Sequence, residues 1–195
     1  MLNVHSYLSE NEVLKIIEKY NVHNILLHEK KVASYAVELF DFINQDYKFS
    51  TEDRDFLKYS ALLHDIGYFI HKEKHHKHTK YIILKEPILN KLPAETRVLL
   101  AAAASSHGKS IDKSIELCSN ELKVKLLKLI ALLRMADALD HTHNLNVSLE
   151  GIKVKNETFK IKISGQGSQY VLKKLKKKSD LFSKVYGMPV SVKCS

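Results

Sequence analysis

Apolar residues recur every three to four positions over most of the first 140 residues, which is the spacing of an amphipathic helix. The pattern predicts a short helix to about Tyr20, a longer one over residues 25–43 and a third that follows Ser50. Ser9 with Glu12 forms a capping box ahead of the first helix, and Ser50 is a suitable N-cap for the third. This part of the chain is therefore predicted to be helical.

Three more helices are predicted between residues 71 and 141. The first lies within residues 71–86, after a loop, and ends before Pro87, because proline cannot continue a helix. The second begins at Pro93 and ends near residues 105–108, where Gly108 suits a helix C-cap. The third is a long helix that starts at about Asn120 and carries apolar residues as far as Ala136.

After Asn144 the helical period gives way to alternation of apolar and polar residues. Residues 147–154 and 159–163 flank Asn156-Glu157 and predict a hairpin. A basic helix is expected over about residues 168–186, and residues 189–193 suit a third strand. The predicted fold class is therefore mainly α. A helical domain over residues 1–145 would carry a small appendage of β-hairpin, helix and strand over residues 146–195.

Composition is consistent with one folded domain, and it also bears on cellular location and on the use of cysteine. Of the 195 residues, 45% are hydrophobic and 27% charged, as in ordinary globular proteins. There is no apolar run of membrane-spanning length, and the N-terminal segment lacks a leader pattern, so a cytoplasmic location with no membrane partner is the default expectation. Cys118 and Cys194 are far apart and support neither a disulfide framework nor a thiolate zinc site. Oligomeric state is not indicated.

Charge points to anionic partners. The formal net charge is +9 and the pI is about 9.3, so phosphorylated ligands or other polyanions should be attracted. The run at residues 173–178 contains five lysines, but it lacks the interleaved aromatic residues that are typical of nucleic-acid binding. It is better interpreted as the solvated face of an amphipathic helix, and nucleic acid is not the favoured partner.

The most informative dipeptide is His64-Asp65, at the end of the apolar run Ala61-Leu62-Leu63. Burying an unpaired carboxylate and an imidazole there would cost several kcal/mol, and a divalent cation would remove that cost. Gly67 is expected to let the chain turn away from the site. The alternative is a helix end with a favourably placed histidine and a solvated aspartate.

Histidine is abundant and clustered. Six of the eleven histidines lie between residues 64 and 107, and three of them have spacings of four and three that predict a shared helix face: His71, His75 and His78. Because lysines alternate with them, a solvated basic face is the alternative interpretation. Four other histidines are assigned no role beyond surface or local hydrogen bonding: His5, His23, His141 and His143.

The order of His28, His64-Asp65 and Asp137 resembles the HD superfamily of metal-dependent phosphohydrolases. Three segments narrow the resemblance: residues 62–70, 75–79 and 132–140 are similar to the C-terminal HD region of the exopolyphosphatase and guanosine pentaphosphatase (Ppx/GppA) family. The similarity runs from about Tyr20 to the C-terminus. The sequence lacks the actin-like domains that hold catalysis in full-length members, so a free-standing HD module is implied. Its His-Asp pair is intact, whereas some full-length members have lost it.

The resemblance implies a ligand set with two nitrogen and two oxygen donors: His28, His64, Asp65 and Asp137. Such a set suits one Mn²⁺, Fe²⁺, Co²⁺, Ni²⁺, Zn²⁺ or Mg²⁺ ion. In HD proteins with two metal ions, the added ligands would be His78 and His107, and Asp65 would bridge the two ions.

The resemblance implies hydrolysis of a nucleotide or another small phosphorylated anion, since a bound divalent ion acidifies water from a pKa of about 15.7 toward about 7. Asp65 would lie at the reacting centre. Asp140 would orient a ligand or transfer a proton, and Arg134 and Lys109 would hold phosphate oxygens. The first alternative is a regulatory module that binds a guanosine polyphosphate without turnover. The second is a polyanion-binding protein that acts through its C-terminal lysines.

Overall fold

The computed structural model describes residues 2–22, 25–141, 143 and 146–195. Within these ranges the chain forms eight α-helices and a three-stranded sheet, and the last two helices lie between the second and third strands. The predicted mainly α fold with a small C-terminal sheet is therefore confirmed. His23, to which the sequence assigned no role, lies outside the described residues. Across the described ranges, none of the helices has the length and apolar character needed to cross a bilayer.

The elements follow the predicted order. The helices are α1 (Glu10–Lys19), α2 (Ile25–Ile43), α3 (Thr51–Leu62), α4 (His75–Lys85), α5 (Ala94–Ser105), α6 (Asn120–Leu139), α7 (Ser168–Lys178) and α8 (Asp180–Tyr186). The strands are β1 (Ser148–Lys155), β2 (Thr158–Ser164) and β3 (Val190–Cys194). Short 3₁₀ turns occupy Ile66–Phe69, Pro87–Lys91 and Lys113–Leu117.

Local chemistry accounts for several helix boundaries. Ser9 and Glu12 form the predicted reciprocal capping box at the start of α1, and Ser50 with Asp53 forms another at α3. Helix α4 begins at His75, after the predicted loop, and Lys74 just before it has a left-handed φ of 58° that interrupts the helical path. His71 therefore precedes the helix, and the helix face predicted for it with His75 and His78 does not include it. Gly108 is not in the left-handed region, and α5 ends instead at Ser105, with Ser106 as its C-cap, whose N–H donates to Ala102 O.

Helix α6 lies at the centre of the bundle. Its C-terminal half is buried on every side, from Leu129 to Leu139, as expected for a helix that is surrounded by others. Two charged residues, Arg134 and Asp137, lie on this buried half. The ends of α3 and α5 and the start of α2 lie near the same part of α6, and they deliver the polar cluster described below.

The C-terminal segment contains both antiparallel and parallel pairing. Strands β1 and β2 form the predicted hairpin, and its turn residues Asn156 and Glu157 have φ values of 52° and 56°, as the tight type I′ turn requires. Strand β3 pairs in parallel with β2, so the sheet order is β1-β2-β3. The single helix predicted over residues 168–186 is instead two helices that meet at Ser179.

The break at Ser179 has a packing reason. It allows Phe182 of α8 to contact Phe159 of β2, with ring centroids 4.6 Å apart, and to stack on Tyr186 at 4.5 Å. These aromatic residues belong to one apolar cluster that also contains the core of the helical bundle. The predicted division near residue 145 stays a prediction, but the two parts share a hydrophobic core.

Candidate metal centre

Four imidazole rings and two carboxylates meet where α2, α3, α5 and α6 converge. Five of these six groups are at most 5% exposed and lie in the interior: His28, His64, Asp65, His107 and Asp137. Asp65 is 3% exposed and lies between the rings, and His75 completes the group from the start of α4. The structure therefore brings the four predicted ligands, His28, His64, Asp65 and Asp137, into one region.

His64 and His107 are positioned in the same way by two different helices. Each follows a helix that ends two residues earlier, α3 at Leu62 and α5 at Ser105. In each, Nδ1 lies 2.7 Å from the carbonyl oxygen three residues earlier, Ala61 for His64 and Ala104 for His107. Because a carbonyl oxygen only accepts, Nδ1 carries the proton and Nε2 keeps its lone pair.

His28 is held by a carboxylate instead of a carbonyl. It lies in the first turn of α2, and its Nδ1 donates to Asp140 Oδ2 across 2.9 Å. A carboxylate behind the outer nitrogen of a histidine is typical of metal ligands, since it fixes the tautomer and increases the basicity of the inner nitrogen. Asp140 therefore lies where the orienting role predicted for it requires.

His75 reaches the cluster because α4 packs closely on the turn after Asp65. Thr79 Oγ1 donates to His64 O at 2.7 Å and accepts from Gly67 N–H at 3.1 Å. A Cβ atom on Gly67 would lie 2.0 Å from His75 O, so glycine is needed there for close approach rather than for a left-handed turn. His75 Nδ1 donates to Lys72 O at 3.0 Å, and its Nε2 faces Asp65 Oδ1 at 3.3 Å.

The inner nitrogens converge on Asp65. Its Oδ2 lies 3.6 Å from Nε2 of both His28 and His64, and its Oδ1 lies 3.3 Å from Nε2 of His75 and 3.4 Å from that of His107. Two groups have donor atoms that all lie within 4.8 Å of one another: His28, His64 and Asp65, and Asp65, His75 and His107. Asp65 belongs to both groups.

This convergence leaves polar atoms without suitable partners. The Nε2 atoms of His28 and His64 are 3.3 Å apart, and those of His75 and His107 are 2.9 Å apart. When both rings of a pair are neutral and protonated at Nδ1, as metal ligands require, two lone pairs face each other. Within the described part of the chain, Asp65 Oδ1 is buried without a hydrogen bond. A cation among these donors would satisfy all of them, so the residues fit a divalent metal.

The pKa shifts are compatible with this role. Burial lowers the pKa of His64, and it lowers that of His107 to about 3, so both rings are neutral at pH 7 as metal ligands must be. Burial lowers the pKa of His28 and His75 as well, but the carboxylates of Asp140 and Asp65 raise those two pKa values by more, so the cluster stabilises positive charge. Burial alone would raise the pKa of Asp65, but positive charge on the neighbouring histidines outweighs it and holds that pKa well below its usual range. The Asp65 carboxylate is therefore ionised.

Asp137 connects the cluster to the C-terminal helices. Its Oδ1 lies 4.0 Å from His28 Nε2, while its Oδ2 is paired with Lys178 Nζ at the end of α7. Burial raises the pKa of Asp137, but Lys178 and the neighbouring histidines lower it by more, so the carboxylate stays ionised. Lys178 Nζ also donates to His107 O at 3.1 Å.

Other predicted site residues lie in different positions. Arg134 is buried and donates to Ser106 O at 2.8 Å and Ser110 O at 3.0 Å, so it holds the loop after α5. Lys109 is exposed at the wall of the adjoining cleft. His78 is in neither donor group among the described residues, and His75 takes the place predicted for it. His78 lies about 4.5 Å further along the axis of α4 than His75 and is offset from it by about 60°, so it shares the same side of the helix but lies outside both donor groups.

Sequence reasoning missed three residues at this site. The sequence places His75 on a histidine face that could equally be a solvated basic face and does not identify it as a ligand, because only the close contact of α4 with Gly67 turns it inward. His143 was given no role, yet its ring stacks on His28 with centroids 3.7 Å apart. Lys178 was assigned to a solvated helix face. Its spacing from Val171 and Leu175, which are buried, places it on the inner side of α7 and was an available signal.

The cluster forms the floor of an open cleft of about 1400 Å³. Basic residues line the cleft, among them Lys72, Lys109, Arg134, Lys174, Lys177, Lys178 and Lys184. Aromatic and histidine side chains complete the wall, among them Tyr68 and His141. A buried, acidic and histidine-rich floor under a basic rim suits an anion that contacts a metal.

Comparison with known protein families gives a match over most of the chain. A family model described as Ppx/GppA phosphatase, domain III, matches residues 9–183, which includes every residue of the cluster. No curated protein was found to match the chain.

Proposed function

Since the chain belongs to the Ppx/GppA phosphatase domain III family, we propose that it is a divalent-metal-dependent phosphohydrolase of the HD type that acts on a nucleotide or another small phosphorylated anion. The observation that carries the proposal is the convergence of four histidine Nε2 atoms on Asp65 at 3.3–3.6 Å. The family match supports phosphate chemistry, and the donor set supports the metal.

The proposed ligands of one ion are His28, His64, Asp65 and Asp137. The second donor group would hold another ion through His75 and His107, with Asp65 shared between the two. A divalent cation supplies Lewis acidity toward a phosphoryl oxygen and makes water a better nucleophile at neutral pH. The mixture of imidazole and carboxylate donors suits Mn²⁺, Fe²⁺, Co²⁺, Ni²⁺, Zn²⁺ or Mg²⁺.

The chain's own residues have distinct tasks in this proposal. Asp65 gives the floor its negative charge, and Asp140 keeps the inner nitrogen of His28 available through the 2.9 Å hydrogen bond to Nδ1. Arg134 fixes the loop that contains His107 and Lys109 by its two bonds to carbonyl oxygens. The lysines around the cleft attract the substrate and hold its phosphate oxygens.

A regulatory module that binds a guanosine polyphosphate would use the same features. The family description refers to one domain of a phosphatase, and the basic rim would bind a polyphosphate whether or not it is hydrolysed. The two proposals differ in turnover, not in the site.

The test combines metal analysis with phosphate release. Protein purified without chelator is examined for bound metal and titrated with Mn²⁺, and a panel of nucleotides and other phosphorylated compounds is screened for hydrolysis. We expect bound metal and metal-dependent turnover in the wild-type protein and the loss of both in Asp65→Asn. The control is Asp46→Asn, which makes the same change of carboxylate to amide at an exposed position and should retain both. Failure to bind any divalent metal would overturn the proposal. Metal-dependent binding of nucleotide without turnover would favour the regulatory alternative.

A further inference from the structure

We propose that Lys178 is a substrate-binding residue that moves from Asp137 to a phosphate oxygen when metal and substrate occupy the site. This inference rests on the proposed function and assigns to α7 a role in the site that the family match does not specify. It makes the C-terminal helix part of the binding site and not only part of the core.

Lys178 has an unusual position among the lysines of α7. Its side chain is 17% exposed, whereas Lys173 and Lys176 lie on the exposed face of the helix. Its ammonium group is paired with Asp137 Oδ2 and donates to the backbone carbonyl of His107 at 3.1 Å. Lys178 therefore contacts two proposed metal ligands, one through the carboxylate of Asp137 and the other through the main-chain carbonyl of His107.

Two other lysines of α7 lie beside Lys178 at the wall of the cleft. Lys174 is one turn before Lys178, and Lys177 is adjacent to it, and all three line the cleft wall. Val171 and Leu175 are buried and fix the rotation of the helix. A short movement of the Lys178 side chain would keep its ammonium at the mouth of the cleft, beside the other two.

Electrostatics supplies the reason for movement. The Lys178 ammonium and a divalent cation on Asp137 would share one carboxylate, and like charges at such a distance repel strongly inside a protein. A phosphate group in the cleft would accept from the ammonium and relieve that repulsion. Lys178 should therefore oppose metal binding when phosphate is absent and favour phosphate binding when metal is present.

The two opposite effects define the experiment. Calorimetric titration measures Mn²⁺ affinity of the phosphate-free protein, and then the affinity of the Mn²⁺-loaded protein for inorganic phosphate. In Lys178→Met we expect Mn²⁺ to bind about threefold or more tightly, because a neighbouring positive charge is gone. We expect phosphate to bind about tenfold more weakly, because a charge-assisted hydrogen bond is lost.

Two variants serve as controls. Lys178→Arg keeps the charge and should leave both affinities near those of the wild-type protein. Lys176→Met removes the same charge from the exposed face of α7, so it should change both affinities by much less than Lys178→Met does. Thermal unfolding of each variant establishes that it is folded.

The outcomes separate this inference from the proposed function. If Lys178→Met weakens Mn²⁺ and phosphate binding together, or changes neither, the proposed movement is wrong while metal-dependent hydrolysis by the wild-type protein can still be observed. If the wild-type protein binds no Mn²⁺, the proposed function fails, and this inference fails with it. Tighter Mn²⁺ binding with weaker phosphate binding supports the inference, since simple structural damage would not strengthen metal binding.

Discussion

Each histidine of the cluster donates its outer N–H to an acceptor and turns Nε2 toward Asp65. Main-chain carbonyls accept from His64, His75 and His107, while Asp140 accepts from His28. The difference matters, because a carboxylate both fixes the ring and makes its inner nitrogen more basic. Among the proposed ligands, His28 is therefore the one whose affinity for a metal should depend most on a single neighbouring side chain.

Asp140→Asn should weaken metal binding without removing any proposed ligand. The amide has the same shape as the carboxylate but loses the negative charge that the His28 N–H faces at 2.9 Å. Changes behind a ligating histidine reduce metal affinity by about 10- to 100-fold, and we expect a loss in that range. Titration with Mn²⁺ measures it, with Asp46→Asn as the matched change at an exposed position. An unchanged affinity would show that Asp140 has no orienting role.

At the scale of elements, the site depends on the contact between α4 and the turn that follows α3. Thr79 bridges Gly67 and the carbonyl of His64, so the position of α4 is tied to the His-Asp pair itself. The approach is so close that the side chain of any other residue at position 67 would meet the main chain of α4. This contact turns His75 toward Asp65.

Gly67→Ala should both destabilise the protein and disturb the cluster. The added Cβ would lie 2.0 Å from His75 O and 2.4 Å from Thr79 N, and since both are backbone atoms, α4 must move. Overpacking of this kind costs about 1–3 kcal/mol, which urea unfolding will measure. We also expect weaker Mn²⁺ binding, because His75 moves with α4.

The control for this change is Gly151→Ala on β1. A Cβ atom at that position meets nothing within 4 Å, and φ is not in the left-handed region, so stability and Mn²⁺ affinity should stay close to those of the wild-type protein. If Gly67→Ala behaves like Gly151→Ala in both measurements, the close contact does not position the site.

At the scale of the whole molecule, the C-terminal segment shares its core with the helical bundle. Phe159 of β2 and Phe182 of α8 belong to the same apolar cluster as the bundle residues, and Tyr35 of α2 donates to Val147 O at 2.5 Å. The segment also contributes Lys178 to the site. These contacts favour a single cooperative unit.

Phe182→Ala should therefore destabilise the whole protein in one transition. Phe182 is fully buried, and its removal leaves a cavity that costs about 3–5 kcal/mol. Urea unfolding is followed by far-UV circular dichroism, which reports mainly on the helices, and by near-UV signals of the tyrosines. We expect the two curves to shift together. Phe69→Ala, at a residue that is 51% exposed, should shift them much less.

Two separate unfolding transitions in Phe182→Ala would contradict the single cooperative unit. In that case the segment over residues 146–195 would unfold by itself, and the predicted division near residue 145 would describe independent domains. The shared core would then stabilise the segment without making the two parts cooperative.

Most helix boundaries could be predicted from the sequence because their causes are local. The capping boxes at Ser9 and Ser50 and the Asn156-Glu157 turn each depend on a few neighbouring residues. The break at Ser179 could not be predicted in this way. It depends on the contact of Phe182 with Phe159, 23 positions earlier in the chain, and helical periodicity alone continues across it.

The sequence by itself determined the ligand-type residues and their order: His28, His64-Asp65 and Asp137, together with the basic character of the chain. Tertiary structure decided which histidine joins them, because His75 and His78 are equally plausible until the contact at Gly67 fixes α4. It also decided that Lys178 faces Asp137. Both choices depend on how distant helices pack, and helix packing is determined by the shape of the whole core and not by local spacing.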